Sequence, residues 1–112
     1  MVNRYERAVG LTLFKFGKYQ AEIWFVPSNY KIPEHYHADF DSKLLILFGH
    51  NILLHRNKES LMIKWWKHIG RAFAIKAMDI HSFDASKFPL IFINLEVWKQ
   101  QPTSACKDFV KT

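Results

Sequence analysis

Apolar and polar residues alternate with a period of two along most of this chain. In Tyr19-Gln-Ala-Glu-Ile-Trp-Phe-Val26, positions 19, 21, 23 and 25 form one apolar face, while Gln20 and Glu22 share the other with Trp24 and Val26. Leu90–Trp98 behaves similarly: Ile91, Ile93, Leu95 and Val97 lie on one face, Asn94 and Glu96 on the opposite one. Successive side chains of a strand point to opposite faces, and β-branched and aromatic residues suit that geometry, so both segments read as strands. Gly17-Lys18 separates Leu11–Phe16 from Tyr19–Val26 as a hairpin turn. Ile32–His37, Lys43–Phe48, Asn51–Arg56, Leu61–Trp66, Arg71–Ile75 and Ile80–Phe83 complete the set. Asn57–Ile69 also fits a short amphipathic helix, with Leu61, Met62, Trp65 and Ile69 on one face and Asn57 as its cap; the strand-like neighbours favour a strand. Short strands joined by small loops predict an all-β antiparallel sandwich or barrel, and in so small a chain a jelly roll. After Gln100 the alternation fades. Residues 100–112 are therefore expected as a loosely docked tail behind a core of about residues 10–99.

Composition narrows the class. The 112 residues, 49% apolar and 16% aromatic, suit one domain over 1–112 with a real core. A single cysteine, Cys106, excludes an internal disulfide and a four-cysteine zinc site. The N-terminal residues carry charge and no apolar h-region, and the longest apolar runs, Leu44–Phe48 and Leu90–Ile93, fall far short of the ~20 residues that span a bilayer. No membrane segment is expected, and the expected compartment is the cytoplasm. The formal charge is +6, and Lys43–Lys76 holds the whole excess, with seven bases against Glu59. Such a stretch serves a polyanion contact, nucleic acid included, or simply a solvated surface. Trp65 and Trp66, set between Lys64 and Lys67, allow base stacking, with core packing or an oligomer contact as the simpler reading.

The chemistry concentrates in histidine, of which there are six. His35 and His37 are two residues apart, a spacing that puts both imidazoles on one face of a strand. A metal ion held there needs further ligands from elsewhere, and His81 lies at a distance an intervening hairpin can fold back. His50, His55 and His68 have no partner at ligand spacing and read as surface residues. Asn94 and Glu96 either line a cavity as hydrogen-bonding or acid–base groups, or mark an outward face with Phe92 and Trp98 covering a dimer surface.

These positions resemble the two motifs of the cupin superfamily. The first runs Gly, five residues, His-x-His, three or four residues, Glu, six residues, Gly; here Asn29, His35, His37, Ser42 and Gly49 stand at those spacings, with Asp41 at the shorter permitted one. The second, Gly, five residues, Pro-x-Gly, two residues, His, three residues, Asn, falls on Gly70, Lys76, Met78, His81 and Ala85, of which Gly70 and His81 match and Lys76 and Met78 depart at the turn before His81. The resemblance covers Gly10 to Lys99 and implies a cupin-type jelly-roll β-barrel, an antiparallel double-stranded β-helix. It implies one divalent transition metal (Fe, Mn, Ni or Zn) on His35, His37 and His81 with Asp41 as the fourth ligand, Ser42 or water being the alternatives to Asp41. It further implies a small polar metabolite as ligand or substrate, acted on by a dioxygenase, isomerase or lyase if the protein is an enzyme, with Glu96 and Glu34 as the nearest acid–base groups. A homodimer fits the same resemblance. Two other functions stay open: a metal-free sugar- or metabolite-binding cupin, and a structural or polyanion-binding protein using the basic surface.

Overall fold

The alternating segments do become strands. The computed structural model describes residues 2–111 and runs β1 (Val2–Tyr5), β2 (Ala8–Phe16), β3 (Tyr19–Val26), β4 (Lys31–Tyr36), β5 (Phe40–Phe48), β6 (Ile52–Arg56), β7 (Glu59–Ile63), α1 (Trp65–His68), β8 (Ala72–Ile75), β9 (His81–Asp84), β10 (Leu90–Trp98) and β11 (Val110–Lys111). One sheet has the order β1-β2-β3-β10-β5-β8 and the other β11-β4-β9-β6-β7, with antiparallel pairings throughout. This is the expected all-β jelly roll. Trp24, Leu44, Ile46 and Phe92 of the first sheet share one core with Ile32, Ile52, Leu54 and Phe83 of the second, and the Phe83 and Phe92 rings stack with centroids 5.4 Å apart. Gly10 pairs with Trp24, and a Cβ there would lie 2.4 Å from the indole Cε2, so the ring crosses β2 only because the position is glycine. Among the described residues no helix is long and apolar enough to cross a membrane.

The direction of the central strands runs against simple hydrophobicity. β10 buries Leu90, Phe92, Asn94, Glu96 and Trp98, and β3 buries Gln20, Glu22, Trp24 and Val26. Asn94 and Glu96 therefore face inward, and Phe92 and Trp98 belong to the interior instead of an outer dimer surface. The polar inward residues are tolerated because they bond to one another and to the chain end. Glu96 accepts from Gln20 Nε2 (2.9 Å), Asn94 Nδ2 (2.8 Å) and Trp98 Nε1 (2.9 Å). Glu22 accepts from Asn3 Nδ2 (2.8 Å), Ser104 Oγ (2.8 Å) and the Ala105 N–H (2.9 Å).

Those bonds correct the expectation of a loose tail. Pro102, Ser104 and Ala105 are buried, Gln20 Nε2 also donates to Thr103 O at 3.1 Å, and β11 adds to the second sheet beside β4. Lone polar side chains that need buried partners, not apolar periodicity, hold this segment. A second correction concerns the expected strand Leu61–Trp66. Strand β7 stops at Ile63, and a helical turn follows in which the Lys64 N–H donates to His68 Nδ1 at 2.9 Å. His68 is buried accordingly, not on the surface, and both Trp65 and Trp66 are exposed, whereas strand alternation would have turned one inward. Two of the bases of 43–76 have partners of their own. Arg56 donates to Ala74 O and pairs with Glu59, while Lys64 donates to Asn51 and stands 5.9 Å from the Trp66 ring centre.

Candidate metal centre

The antiparallel pairing of β4 with β9 places His35 directly opposite His81, and His37 follows two residues later on the same side. All three imidazoles are buried, and one ligand nitrogen from each lies within 4.8 Å of the others. Ring centroids are 4.1 Å apart for His35–His81, 4.9 Å for His35–His37 and 5.1 Å for His37–His81. Each Nδ1 meets a backbone carbonyl: His35 that of Pro33 (2.7 Å), His81 that of Asp79 (2.9 Å) and His37 that of Asp108. A carbonyl can only accept, so each Nδ1 carries the proton and each Nε2 is left with its lone pair. That is the tautomer and outer-shell support of a metal-ligating histidine. Burial, the dominant cause, lowers His35 from 6.5 to about 2, and His37 and His81 to about 4; the neighbouring imidazoles act in the same direction on His35 and His81. All three are neutral at pH 7, the form that binds metal.

The donors fit a transition metal ion. Tetrahedral zinc with ligands at 2.0–2.1 Å holds its nitrogens roughly 3.3 Å apart, so the rings need shift by only about an ångström or so. They edge a cavity of about 50 Å³ that Trp24, Ser42, Phe92 and Asn94 also line, with Cys106 and Phe109 from the chain end. Among the described residues, Trp24 Nε1 and Asn94 Oδ1 are the buried side-chain polar atoms left without a hydrogen bond. A donor and an acceptor thus stand beside the imidazoles, as a polar occupant requires.

Of the other expected site residues, Ser42 reaches the cavity, and Asp41, Glu34 and Glu96 lie elsewhere. Asp41 is exposed and accepts from the Ala77 N–H at 2.7 Å. Strand alternation along β5 turns Phe40 and Ser42 inward and Asp41 outward, so Asp41 is not brought to the histidines. Ser42 faces the cavity, its hydroxyl donating to Ile75 O at 3.2 Å. Glu34 lies on the opposite side of β4 from His35, in a rim depression with Lys31, His55 and Lys58. Glu96 is buried below Asn94, and its carboxyl is pushed well above the usual range by burial first and by Glu22 second. Its carboxyl is engaged by Gln20, Asn94 and Trp98 as a hydrogen-bonding tie.

The chain end supplies what sequence reasoning missed. Phe109 stacks on His35 (centroids 3.9 Å) and on Tyr5 (4.3 Å). The Asp108 carboxylate accepts from the N–H groups of Ala38 (3.3 Å) and Asp39 (2.8 Å). An isolated Asp-Phe-Val after a polar stretch carries no periodic signal, and only its partners give it a role.

No protein-family model and no curated protein matches the chain. Solved structures do match its shape. A protein with a double-stranded β-helix domain from Klebsiella pneumoniae superposes with a TM-score of 0.71 at 12% identity, over 99% of this chain and 91% of that one. KdgF from a Halomonas species gives 0.74 at 14% identity, over 89% and 87%. The DMSP lyase DddQ from Ruegeria pomeroyi gives 0.76 at 15% identity, over 96% of this chain but 52% of that one. The chain has the cupin fold. Within this fold, Asn29 and Met78 stand where the motifs have glycine and adopt φ of +57° and +73°. The glycine-like backbone is kept without glycine, and the motif carboxylate is replaced by inward-facing Ser42.

Proposed function

We propose that the protein binds one divalent transition metal ion through His35, His37 and His81, and that it acts there on a small polar molecule. The observation that carries this reading is the set of three buried, neutral imidazoles, each with Nδ1 tied to a carbonyl and its ligand nitrogen within 4.8 Å of the other two. A bound ion supplies Lewis-acid polarisation of an oxygen ligand, undiminished by any charge from three neutral donors. The chain's own part is to orient and to exclude. Trp24 Nε1 offers a donor and Asn94 Oδ1 an acceptor beside the imidazoles, while Phe83, Phe92 and Leu44 keep the walls apolar. The cavity admits only a small ligand. That one fold neighbour is a DMSP lyase supports chemistry on a metabolite in a barrel of this shape.

The test is elemental analysis of the protein purified without a metal-affinity tag, wild type beside His35→Ala/His37→Ala. Near one equivalent of a transition metal in the wild type, lost in the double variant, is the expected result. No metal in either, even after incubation with Fe(II), Mn(II), Ni(II) and Zn(II), sinks the metal reading and leaves a metal-free metabolite binder.

A further inference from the structure

The loops at one end of the barrel carry bases and no acids. The Asn29 N–H donates to Ser86 O (2.7 Å), Ser86 Oγ to His50 O (2.6 Å) and the Trp65 N–H to His50 Nδ1 (3.2 Å), which joins residues 27–30, 49–51, 64–71 and 85–89 into one surface. These segments hold Lys64, Lys67, Arg71 and Lys87, and neither aspartate nor glutamate. Lys64 donates to Asn51, which is uncharged, so its charge is not compensated there. Asp84, the acid next to them in sequence, stands opposite Lys31, whereas His35 and His81 pair at the other end of β4 and β9. The surface is therefore separate from the metal centre. Its centre is aromatic: Trp65 is 59% exposed, Trp66 66% and Phe88 42%, with Ile69 and, at the end of β5, Phe48 exposed as well. His50 lies 5.2 Å from Trp66 and 5.8 Å from Phe88, centre to centre. With about half of each ring bare, the four large aromatic side chains expose on the order of 400 Å². That is the size of a typical monomer's largest apolar patch, often a functional one.

We propose that this end of the barrel rests on an anionic lipid surface. Four bases without an acid complement negatively charged headgroups. Tryptophan has an apolar ring and an N–H donor, and it settles at the boundary between headgroups and acyl chains. Ile69, Phe48 and Phe88 bury against the acyl side of that boundary, while the lysines keep their ammonium groups among the phosphates. Single-stranded nucleic acid, the other polyanion with a use for rings, fits less well. Trp65 and Trp66 meet at 85° and so offer successive bases no pair of parallel faces. The Lys64 ammonium already stands 5.9 Å from the Trp66 ring centre, and Ile69 gives a base nothing to stack on. A stable protein partner is disfavoured by area, since each side of a standard interface contributes about 800 Å². The contact is made by loops of the folded barrel and needs no bound metal, so it stands independently of the histidine site.

Co-sedimentation of the full chain with vesicles tests it. Binding to mixed phosphatidylcholine–phosphatidylglycerol vesicles is expected to be at least about tenfold tighter than to phosphatidylcholine alone, and to weaken as salt is raised. Lipids brominated on their acyl chains should quench the tryptophan fluorescence of the bound protein. Trp65→Ala/Trp66→Ala is expected to lose that quenching and at least about tenfold in affinity, with unchanged far-UV circular dichroism. Lys67→Glu/Lys87→Glu keeps both rings, is expected to lose at least about tenfold, and serves if the tryptophan variant disturbs the fold. Lys15→Glu/Lys18→Glu, at the β2–β3 hairpin on the opposite end of the barrel, carries the same change of charge and is expected to bind as wild type. A wild type that stays in the supernatant with both kinds of vesicle overturns the proposal. So does binding that survives both substitutions at the aromatic end, or an equal loss in the hairpin variant. Tighter retention of single-stranded oligodeoxythymidine than of the mixed vesicles overturns it in favour of nucleic acid.

Discussion

Met78 carries φ +73° in the turn that delivers His81, a backbone region where a side chain's β carbon crowds the following carbonyl. Neighbours hold it there. The Met78 N–H donates to His37 O (2.8 Å), the Lys76 N–H to the Asp79 carboxylate (3.0 Å), and Asn57 Nδ2 to the same carboxylate (3.3 Å). The Asp79 side chain thus substitutes for the rigid Pro-x-Gly of the motif. Met78→Gly removes the crowding while loosening the unfolded chain, and the net expectation is stabilisation by about 0.5–1 kcal/mol. A raised urea midpoint with unchanged slope is the expected readout; a lowered midpoint would show that Met78 adds packing that outweighs its strain. Asp41 and Ser42 show the same scale at work from the other side. Both spacings are permitted by the motif, and a period-two strand can turn only one of them inward.

Elements decide how the site is closed. The segment from Pro102 to β11 has little hydrophobicity of its own, yet it caps the cavity with Phe109 and gives His37 its hydrogen-bond acceptor. Glu22 holds it through Ser104 and Ala105. Glu22→Gln replaces one acceptor oxygen by an amide that cannot accept from those donors, and should cost about 1–3 kcal/mol. Because the lost bonds belong to the chain end, trypsin should cut after Lys99 or Lys107 markedly faster than in the wild type. Equal cutting rates would show that the segment is held by Phe109 and β11 alone. The helical turn α1 arises by the same kind of local competition. Apolar spacing in Asn57–Ile69 suits strand and helix alike, and a His68 acceptor four residues after Lys64 settles the last part as helix.

At the scale of the whole molecule, the three histidines couple stability to pH. Their folded values, about 2 for His35 and about 4 for His37 and His81, lie below the 6.5 of the unfolded chain. Above pH 6.5 neither state takes up protons and the full stability is present. Below it the unfolded chain binds protons that the folded one refuses, so stability falls as pH drops from about 6.5 towards 4, by up to about 1.4 kcal/mol per pH unit for each histidine. Urea midpoints from pH 7.5 to 4.5 should decline, and less steeply in His37→Gln. A profile as steep in that variant as in the wild type would assign the loss to other groups.

The sequence by itself determined the strands and the chemistry they carry. Period-two alternation in Tyr19–Val26 and Leu90–Trp98 is a local consequence of the pleat, and the spacing of His35, His37 and His81 needs only a strand and its antiparallel neighbour to become a cluster. Which face of β3 and β10 turns inward was decided by tertiary structure, since alternation is symmetric between the two. Gln20, Glu22, Asn94 and Glu96 face inward because they meet each other, Trp98 and the chain end there. The same holds for β1, β11 and Phe109: segments this short lack the length to show a period, and their conformation is set by the strands and rings they meet.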